Sequence, residues 1–297
     1  MARALIRQCS TRNYEGALED CLEGYGIKKS SVSRQWKAAS AAELERLCSR
    51  RVPSDLVALI IDGKHLRNDC AVVALGVDSA GVKQVLGVWH GASENSTVVK
   101  ALLEDLVERG LSTSAKILVV IDGAKALHKG VKDLFGERAL IQRCRIHKRR
   151  NVLEHLSKEK QRQAAWRLKA AWAESDPVKA EAELRKIVNW LQAISPGAAR
   201  SLEEGLEETL TVTRLGLHEE LKKTFASTNL IESCFSRTEE LTRRVKRWRG
   251  GEMFLRWSGA ALLFAEKGFR KVRGYRHLHQ LNVALKNQTF DNDQIAA

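Results

Sequence analysis

Two short aliphatic runs, Leu56 to Ile61 and Ile117 to Ile121, each lead straight into an Asp-Gly pair, Asp62-Gly63 and Asp122-Gly123. Runs of this length without a polar position read as strands buried on both faces. Alternated with helices, such strands imply a sheet covered by helices. Each strand is expected to stop at its carboxylate, leaving an acid at the sheet edge. The glycine that follows lets the chain turn sharply and leaves room for a phosphate. Asp-Gly is also an ordinary turn pair, so its meaning depends on what surrounds it.

The neighbouring segments supply the rest of an α/β domain. Cys70–Val77 and Gln84–Trp89 are β-rich and separated by the turn residues Ser79-Ala80-Gly81, which with the first strand suggests an antiparallel meander. A helix is expected to start within Ser93-Glu94-Asn95-Ser96 and run to about Arg109, with Gly110 as its C-terminal cap. After the second Asp-Gly come a helix over Ala126–Phe135 and a strand over Ala139–Gln142. Three strands, then helix, strand, helix, strand is the order of the ribonuclease-H-like fold.

From Arg145 to about Phe225 no strand is legible. Glu159–Glu174, Pro177–Ile194 and Leu202–Leu210 carry helical patterns, and Pro177 suits a helix start. The expected organisation is therefore a helical segment over 1–52 and a catalytic domain over 53–297, with an all-helical insertion at about 150–225. In the front segment, a helix over Tyr14–Glu23, punctuation at Gly24 and Gly26, a cap at Ser30 or Ser31 and a second helix through Val32, Arg34 and Trp36 suggest a partial helix-turn-helix.

Charge narrows the partners. The chain carries a formal net charge of +14 and a sequence pI of about 9.7, the electrostatic footprint of a protein that faces a polyanion. The six cysteines, Cys9, Cys21, Cys48, Cys70, Cys144 and Cys234, are scattered and fit no disulfide framework, which points to a reducing compartment. The opening MARALIRQCS has no apolar core typical of a secretory signal. Leu255–Ala265 is too short to span a bilayer and contains Arg256. The expectation is a cytoplasmic protein with no membrane partner, associated with the nucleoid when bound to DNA.

A third acid, Glu232, sits in Ser227-Thr-Asn-Leu-Ile-Glu-Ser233, near the start of a basic helix expected over Asn229–Arg247. It can be read as half of a capping box or as a member of a carboxylate triad with Asp62 and Asp122. Phosphodiester chemistry explains why three acids would be needed. The attacking oxygen must be activated and the leaving oxygen stabilised, and two divalent ions about 4 Å apart can do both. Mg2+, or Mn2+, prefers the oxygen ligands that carboxylates offer.

With these pieces in place, the sequence resembles the Mutator-like family of bacterial insertion-sequence transposases. The matching motifs are Val119-Val-Ile-Asp-Gly-Ala-Lys-Ala-Leu127, Gln142-Arg-Cys-Arg-Ile-His-Lys-Arg-Arg-Asn151 and the segment around Glu232, within a likeness running from about residue 25 to about 285. The resemblance implies an Asp-Asp-Glu transposase on a ribonuclease-H-like fold with a helical insertion. It places Asp62, Asp122 and Glu232 at the catalytic and metal-binding positions. It also makes Cys144 and His147 the family's Cys-x-x-His signature. No second Cys/His pair lies nearby to complete a zinc site, so a role in positioning the active site or DNA is preferred.

Phosphate contacts are expected from Arg34, Arg143, Arg145, Lys148, Arg149, Arg150, Arg237, Arg243, Arg244, Lys246 and Arg247. Trp248 and Trp257 could stack on flipped bases, but core packing is the preferred reading of both, and Trp89, Trp166, Trp172 and Trp190 are expected to pack the sheet and insertion. The implied partners are transposon-end and target DNA, engaged by a homo-oligomer. Family members usually begin with a longer DNA-binding region. The short front segment here therefore raises a second reading, a truncated and catalytically silent DNA-binding remnant or regulator.

Overall fold

The computed structural model describes residues 29–66, 69–91, 95–243, 245 and 247–287. The expected helix over Tyr14–Glu23, Gly24, Gly26, Cys9, Cys21, Ser93, Glu94, Arg244 and Lys246 lie outside the described residues.

The core is a five-stranded mixed sheet made of β1 (Leu56–Leu66), β2 (Asp69–Asp78), β3 (Lys83–Gly91), β4 (Ile117–Ile121) and β5 (Ala139–Arg143), in the order β3-β2-β1-β4-β5. β1 pairs antiparallel with β2, and β2 antiparallel with β3. β1 pairs parallel with β4, and β4 parallel with β5. The α/β class and the meander are thus as the sequence suggests.

One expectation about β1 is corrected. The strand does not stop at Asp62. It continues through Gly63, Lys64 and His65 to Leu66, still paired with β2, where Asp62 faces Val73. Pairing with β4 ends at Ile61↔Ile121. Asp62 therefore sits where β1 outruns its parallel neighbour, a step in the sheet rather than a strand end.

Side-chain alternation divides the apolar residues between two layers. Leu59, Ile61, Val72, Val119 and Ile121 face one side, packed against Val99, Leu103 and Leu106 of α2 (Ser96–Glu108) and Leu127 and Val131 of α3 (Lys125–Phe135). The α2 start is capped by Asn95, which accepts from Val98 N at 3.0 Å. Ala58, Ile60, Val73, Leu118 and Val120 face the other side. There they meet Ile231, Cys234 and Phe235 of α10 (Asn229–Thr242) and Phe254, Leu262 and Leu263 of α11 (Gly251–Glu266). Each such fully buried aliphatic side chain contributes about 1.5–3 kcal/mol of transfer free energy.

Between β5 and α10 the described chain is helical: α4 (Arg145–Glu154), α5 (Lys158–Ala173), α6 (Pro177–Gln192), α7 (Pro196–Glu203), a 3-10 turn over Glu207–Leu210, α8 (Thr211–Arg214) and α9 (Glu219–Phe225). Val152 through Leu210 form a core of their own, while Val212, Leu217, Leu221 and Phe225 return to the sheet layer. The single helix expected over Leu202–Leu210 is broken at Gly205, whose φ of 64° ends α7. A Cβ there would lie 2.5 Å from Arg143 Nε, so the glycine makes room for that guanidinium. Trp172 donates to Thr209 within the insertion, whereas Trp166 is 71% exposed, against the expectation that it packs.

Two further helices complete the described structure. α1 (Lys29–Cys48) is one continuous helix through Val32-Ser33-Arg34. It is docked on α11: Trp36 packs against Trp257 at 4.5 Å between ring centroids, Arg256 donates to Ser40 Oγ at 3.1 Å, and Leu47 is fully buried. α12 (Leu278–Asn287) closes the sheet layer with Leu278, Leu281 and Leu285. No helix among the described residues is long and apolar enough to cross a membrane, and the apolar stretch around Leu255–Ala265 is the buried core of α11.

Candidate active site

In β1, Asp62 follows Ala58 and Ile60 in the alternation, and Asp122 follows Leu118 and Val120 next to the end of β4. Both acids thus project on the layer where α10 packs, and α10 carries Glu232 in its first turn. Ile61 and Ile121 are register partners, so the two aspartates leave adjacent strands side by side, roughly 5 Å apart in backbone terms.

Local hydrogen bonds fix each acid. Asp62 Oδ1 accepts from Gly63 N at 2.9 Å, and Asp122 Oδ1 accepts from Ala124 N at 2.8 Å. The positive φ of Gly123, 112°, provides the turn that brings the Ala124 amide back. Glu232 does not form the capping box that its spacing suggests. Thr228 is the N-cap, so the box position is Ile231, and Glu232 lies one residue further on. It instead accepts from the Thr228 hydroxyl at 3.2 Å.

Thr228 is fully buried and is the hub of the site. Its Oγ1 lies 3.4 Å from His147 Nδ1 and 3.6 Å from Cys144 Sγ, and its backbone N–H donates to that sulfur at 3.4 Å. His147 Nε2 lies 3.7 Å from Glu232 Oε1. Cys144 is anchored in turn, its N–H donating to Ile121 O at 2.8 Å, and Arg145 N donates to Ala226 O at 2.9 Å. The Cys-x-x-His pair therefore joins the end of β4 to the start of α10.

Electrostatics mark the same cluster. Asp62 is only 4% exposed; burial pushes its carboxyl up to about 7, the Asp122 charge adds to the rise, and His147, Gly63 and Thr228 oppose it. The hydrogen bond with Cys144 raises His147 to about 9 against its burial, and the charges of Cys144, Asp62 and Asp122 add to the rise. Burial would raise the Cys144 thiol, but hydrogen bonds from His147 and Thr228 hold it below its ordinary value. The hydrogen bond between Cys144 and His147 thus lowers the thiol and raises the imidazole.

Cys144, His147 and Glu232 also have potential ligand atoms within 4.8 Å of one another. Two of them, Cys144 and His147, are already hydrogen-bonded to each other. A second such group, His218, Glu220 and His277, combines two imidazoles stacked at 3.7 Å with a carboxylate already 3.4 Å from Arg273 Nε.

The basic residues divide by direction. Arg143 is 6% exposed and donates to Glu208 Oε2 at 3.0 Å. Arg145 donates to Thr209 O, Trp172 O and Thr213 Oγ1, and burial lowers its pKa to about 10. Lys148, 2% exposed, donates to Ser201 O and Glu204 O, and burial lowers its pKa to about 8. These three do not form the exposed phosphate-binding face that the sequence suggests. They are spent inside the fold, Arg143 on the Glu208 carboxylate and Arg145 and Lys148 largely on backbone carbonyls of the helical segment. Arg34, Arg149, Arg150, Arg237, Arg243 and Arg247 are exposed, with Arg150 near Glu154 at 3.8 Å and Arg237 near Glu240 at 3.1 Å. The basic helix is also shorter than expected: α10 ends at Thr242, so Arg243 and Arg247 lie on the connection to α11. Trp248 serves packing, donating to Leu66 O and meeting Phe254 edge-on at 5.3 Å, and Trp257 packs on Trp36.

The sequence alone presents Thr228 only as a helix cap and does not reveal its contacts with Cys144 and His147. The one signal is the short Ser-Thr-Asn run before Glu232, which by itself does not say what the hydroxyl faces.

Over most of its length the chain is similar to known proteins. The chain is 30% identical over 235 residues to the transposase for insertion sequence element IST2 of Acidithiobacillus ferrooxidans, covering 77% of this chain and 78% of that protein. It is 29% identical over 247 residues to the transposase for insertion sequence element IS6120 of Mycolicibacterium smegmatis, covering 80% and 74%. A sequence model described as "Transposase, Mutator family" matches residues 1–261, and the chain belongs to the Mutator family of transposases.

Proposed function

We propose that Asp62, Asp122 and Glu232 are the catalytic carboxylates of this DNA transposase and that together they hold two divalent ions, Mg2+ or Mn2+, in a ribonuclease-H-like domain. The observation that carries this is Asp62, buried and raised to about 7 beside Asp122, on the sheet layer against which the helix bearing Glu232 packs. A buried carboxyl whose ionisation is opposed by a neighbouring aspartate gains from a divalent cation, and an all-oxygen donor set suits Mg2+ better than a soft metal. The strand order β3-β2-β1-β4-β5, with a helical insertion before the helix bearing Glu232, supports the fold assignment.

When bound, the ions would activate the attacking oxygen and stabilise the leaving oxygen of the scissile phosphodiester. The chain's own residues set the geometry. The Ala124 and Gly63 amides hold the two aspartates. Thr228 and the His147 imidazolium steady Glu232, and the exposed arginines Arg149, Arg150, Arg237, Arg243 and Arg247 hold DNA phosphates around the cleft.

Water cleaves at the element end and releases a 3′-hydroxyl, which then attacks a target phosphodiester. One phosphodiester replaces another, so no nucleotide triphosphate is needed. The substrate is the end of an insertion sequence, as the names of the relatives suggest. Two ends must be cut together, which favours a homo-oligomer on DNA.

Asp122→Asn tests the assignment. Strand transfer on an end-bearing duplex is expected to be lost while duplex binding, read by mobility shift, stays within about twofold. Retained strand transfer would remove Asp122 from the catalytic set.

A further inference from the structure

We infer that the connection between α11 and α12 is a second DNA-phosphate surface, at the far end of the sheet from the carboxylates. This rests on DNA being the partner and does not depend on the carboxylate assignment.

The segment 267–276 carries Lys267, Arg270, Lys271, Arg273 and Arg276 with no acidic residue among them. All five cations are exposed. Their backbone is pinned rather than loose. Val272 is buried and its N–H donates to Gly81 O at 2.9 Å. Thr224 Oγ1 donates to Arg273 O at 2.9 Å. Gly274, with φ of 79°, lies so close to α9 that a Cβ would fall 2.8 Å from Glu220 Cβ. Buried Val272 and Gly274 alternate with exposed Lys271, Arg273 and Tyr275, so the fixed turns aim the charges outward.

A cavity of about 550 Å³ adjoins this segment, lined among others by Lys83, Phe269, Arg270 and Lys271, and by Glu266, which is paired with Arg50 at 2.8 Å. Lys83 lies 5.1 Å from the Phe269 ring centroid, and burial lowers its pKa. A partly desolvated ammonium beside further cations gains from an anion. Tyr275, 39% exposed, offers a ring face beside Lys271 and Arg276. Dense fixed cations with an aromatic neighbour, outnumbering the two acids beside them, Glu220 at Arg273 and Glu266 at Arg50, are the arrangement that tracks a nucleic-acid backbone.

Position separates this surface from the active site. Lys83 opens β3 and pairs with Val77 of β2, at the end of the sheet where β1 begins at Leu56. Asp62 lies six residues further along β1, about 20 Å away at the strand rise. A duplex whose end is being cut can extend past the carboxylates to this surface, which would hold backbone without reading bases.

The test compares the full chain with a variant carrying Arg270→Gln, Lys271→Gln and Arg276→Gln, which leaves Arg273 with Glu220. Binding to labelled transposon-end and unrelated duplexes of equal length is titrated against salt. The expected result is about tenfold weaker binding to both duplexes near 0.1 M salt. The slope of log affinity against log salt should fall by about 2–3, at about 0.9 for each phosphate charge that the variant no longer neutralises. An unchanged slope with an unchanged melting temperature would overturn the proposal, as would weakening confined to one sequence. Asp122→Asn run alongside keeps the two questions apart, since it is expected to lose cleavage with its salt slope intact.

Discussion

An acid whose pKa rises on folding makes the native state less favourable as pH climbs from its unfolded pKa to its folded one. For Asp62 that interval runs from the ordinary 3.8 to about 7. Below 3.8 the carboxyl is protonated in both states and costs nothing. Above about 7 the full penalty is present, on the order of 4 kcal/mol at 1.36 kcal/mol per pKa unit if none of it is relieved by solvent. Asp62→Asn should therefore raise the melting temperature at pH 8 without divalent ions, and the gain should vanish near pH 4. Adding Mg2+ at pH 8 should stabilise the wild type more than the variant. Equal melting curves for the two proteins at pH 8, with and without Mg2+, would contradict both the burial penalty and the metal-ligand role. Thr228 makes a second prediction at this scale. Thr228→Val keeps the volume but removes the hydroxyl from Glu232 and His147, and cleavage should slow by about tenfold, the scale of one charge-assisted hydrogen bond. Thr228→Ser restores the hydroxyl and should restore most of the rate. A valine variant that cuts as fast as wild type would show that the hub only packs.

Helices and strands carry the next set of consequences, because α4 presents its cations in two directions. Arg145 and Lys148 satisfy carbonyls of the insertion, whereas Arg149 and Arg150 face solvent. Arg145→Met should destabilise the fold by about 3 kcal/mol, since it strands three buried acceptors, and should leave the salt slope of DNA binding unchanged. Arg149→Gln with Arg150→Gln should do the reverse, lowering the slope by about 2 with little change in melting temperature. Thermal melts and salt titrations on the same preparations check both; a lowered slope in Arg145→Met would return that residue to the DNA face. This division shows what the sequence could and could not convey. The aliphatic runs made β1, β4 and their carboxylates legible, since burial on both faces leaves an uninterrupted apolar signature. The run Arg143-Cys-Arg-Ile-His-Lys-Arg-Arg150 has no such signature. Which cations turn inward depends on carbonyls left open at Ser201, Glu204 and Thr209, some sixty residues away. β1 beyond Asp62 was hidden for a related reason: Lys64 and His65 look like loop residues, and only pairing with β2 keeps them in the sheet. Glu232 was legible in place but not in contact, because its true partner is the Thr228 side chain rather than the backbone cap.

At the level of the whole molecule, the described chain has three hydrophobic clusters, one on each side of the sheet and one inside the insertion. The two sheet clusters share the same strands and cannot separate without breaking β1 and β4. The third shares no strand with them. It is joined to the sheet chiefly by polar ties: Arg143 and His128 to Glu208, Arg145 to Thr209, Trp172 and Thr213, and Gln142 to Thr209 and Val212. Polar ties of this kind contribute less per contact than shared apolar burial, about 1 kcal/mol net for a neutral hydrogen bond and about 1.5–3 kcal/mol to a charged group. A body with its own core and such a seam opens at a free energy below that of global unfolding. Native-state hydrogen exchange should therefore show amides of 152–210 exchanging as a group before those of β1 and β4 as denaturant rises. Arg145→Met should widen the gap by weakening the seam alone. Equal opening free energies across the insertion and the sheet, in wild type and variant, would mean that the two cores unfold as one. The seam runs directly behind Cys144 and His147, so opening it also releases the anchor of Glu232. DNA that bridges the insertion and the sheet should close the gap between the two exchange groups, by an amount set by RT ln(1 + [DNA]/Kd).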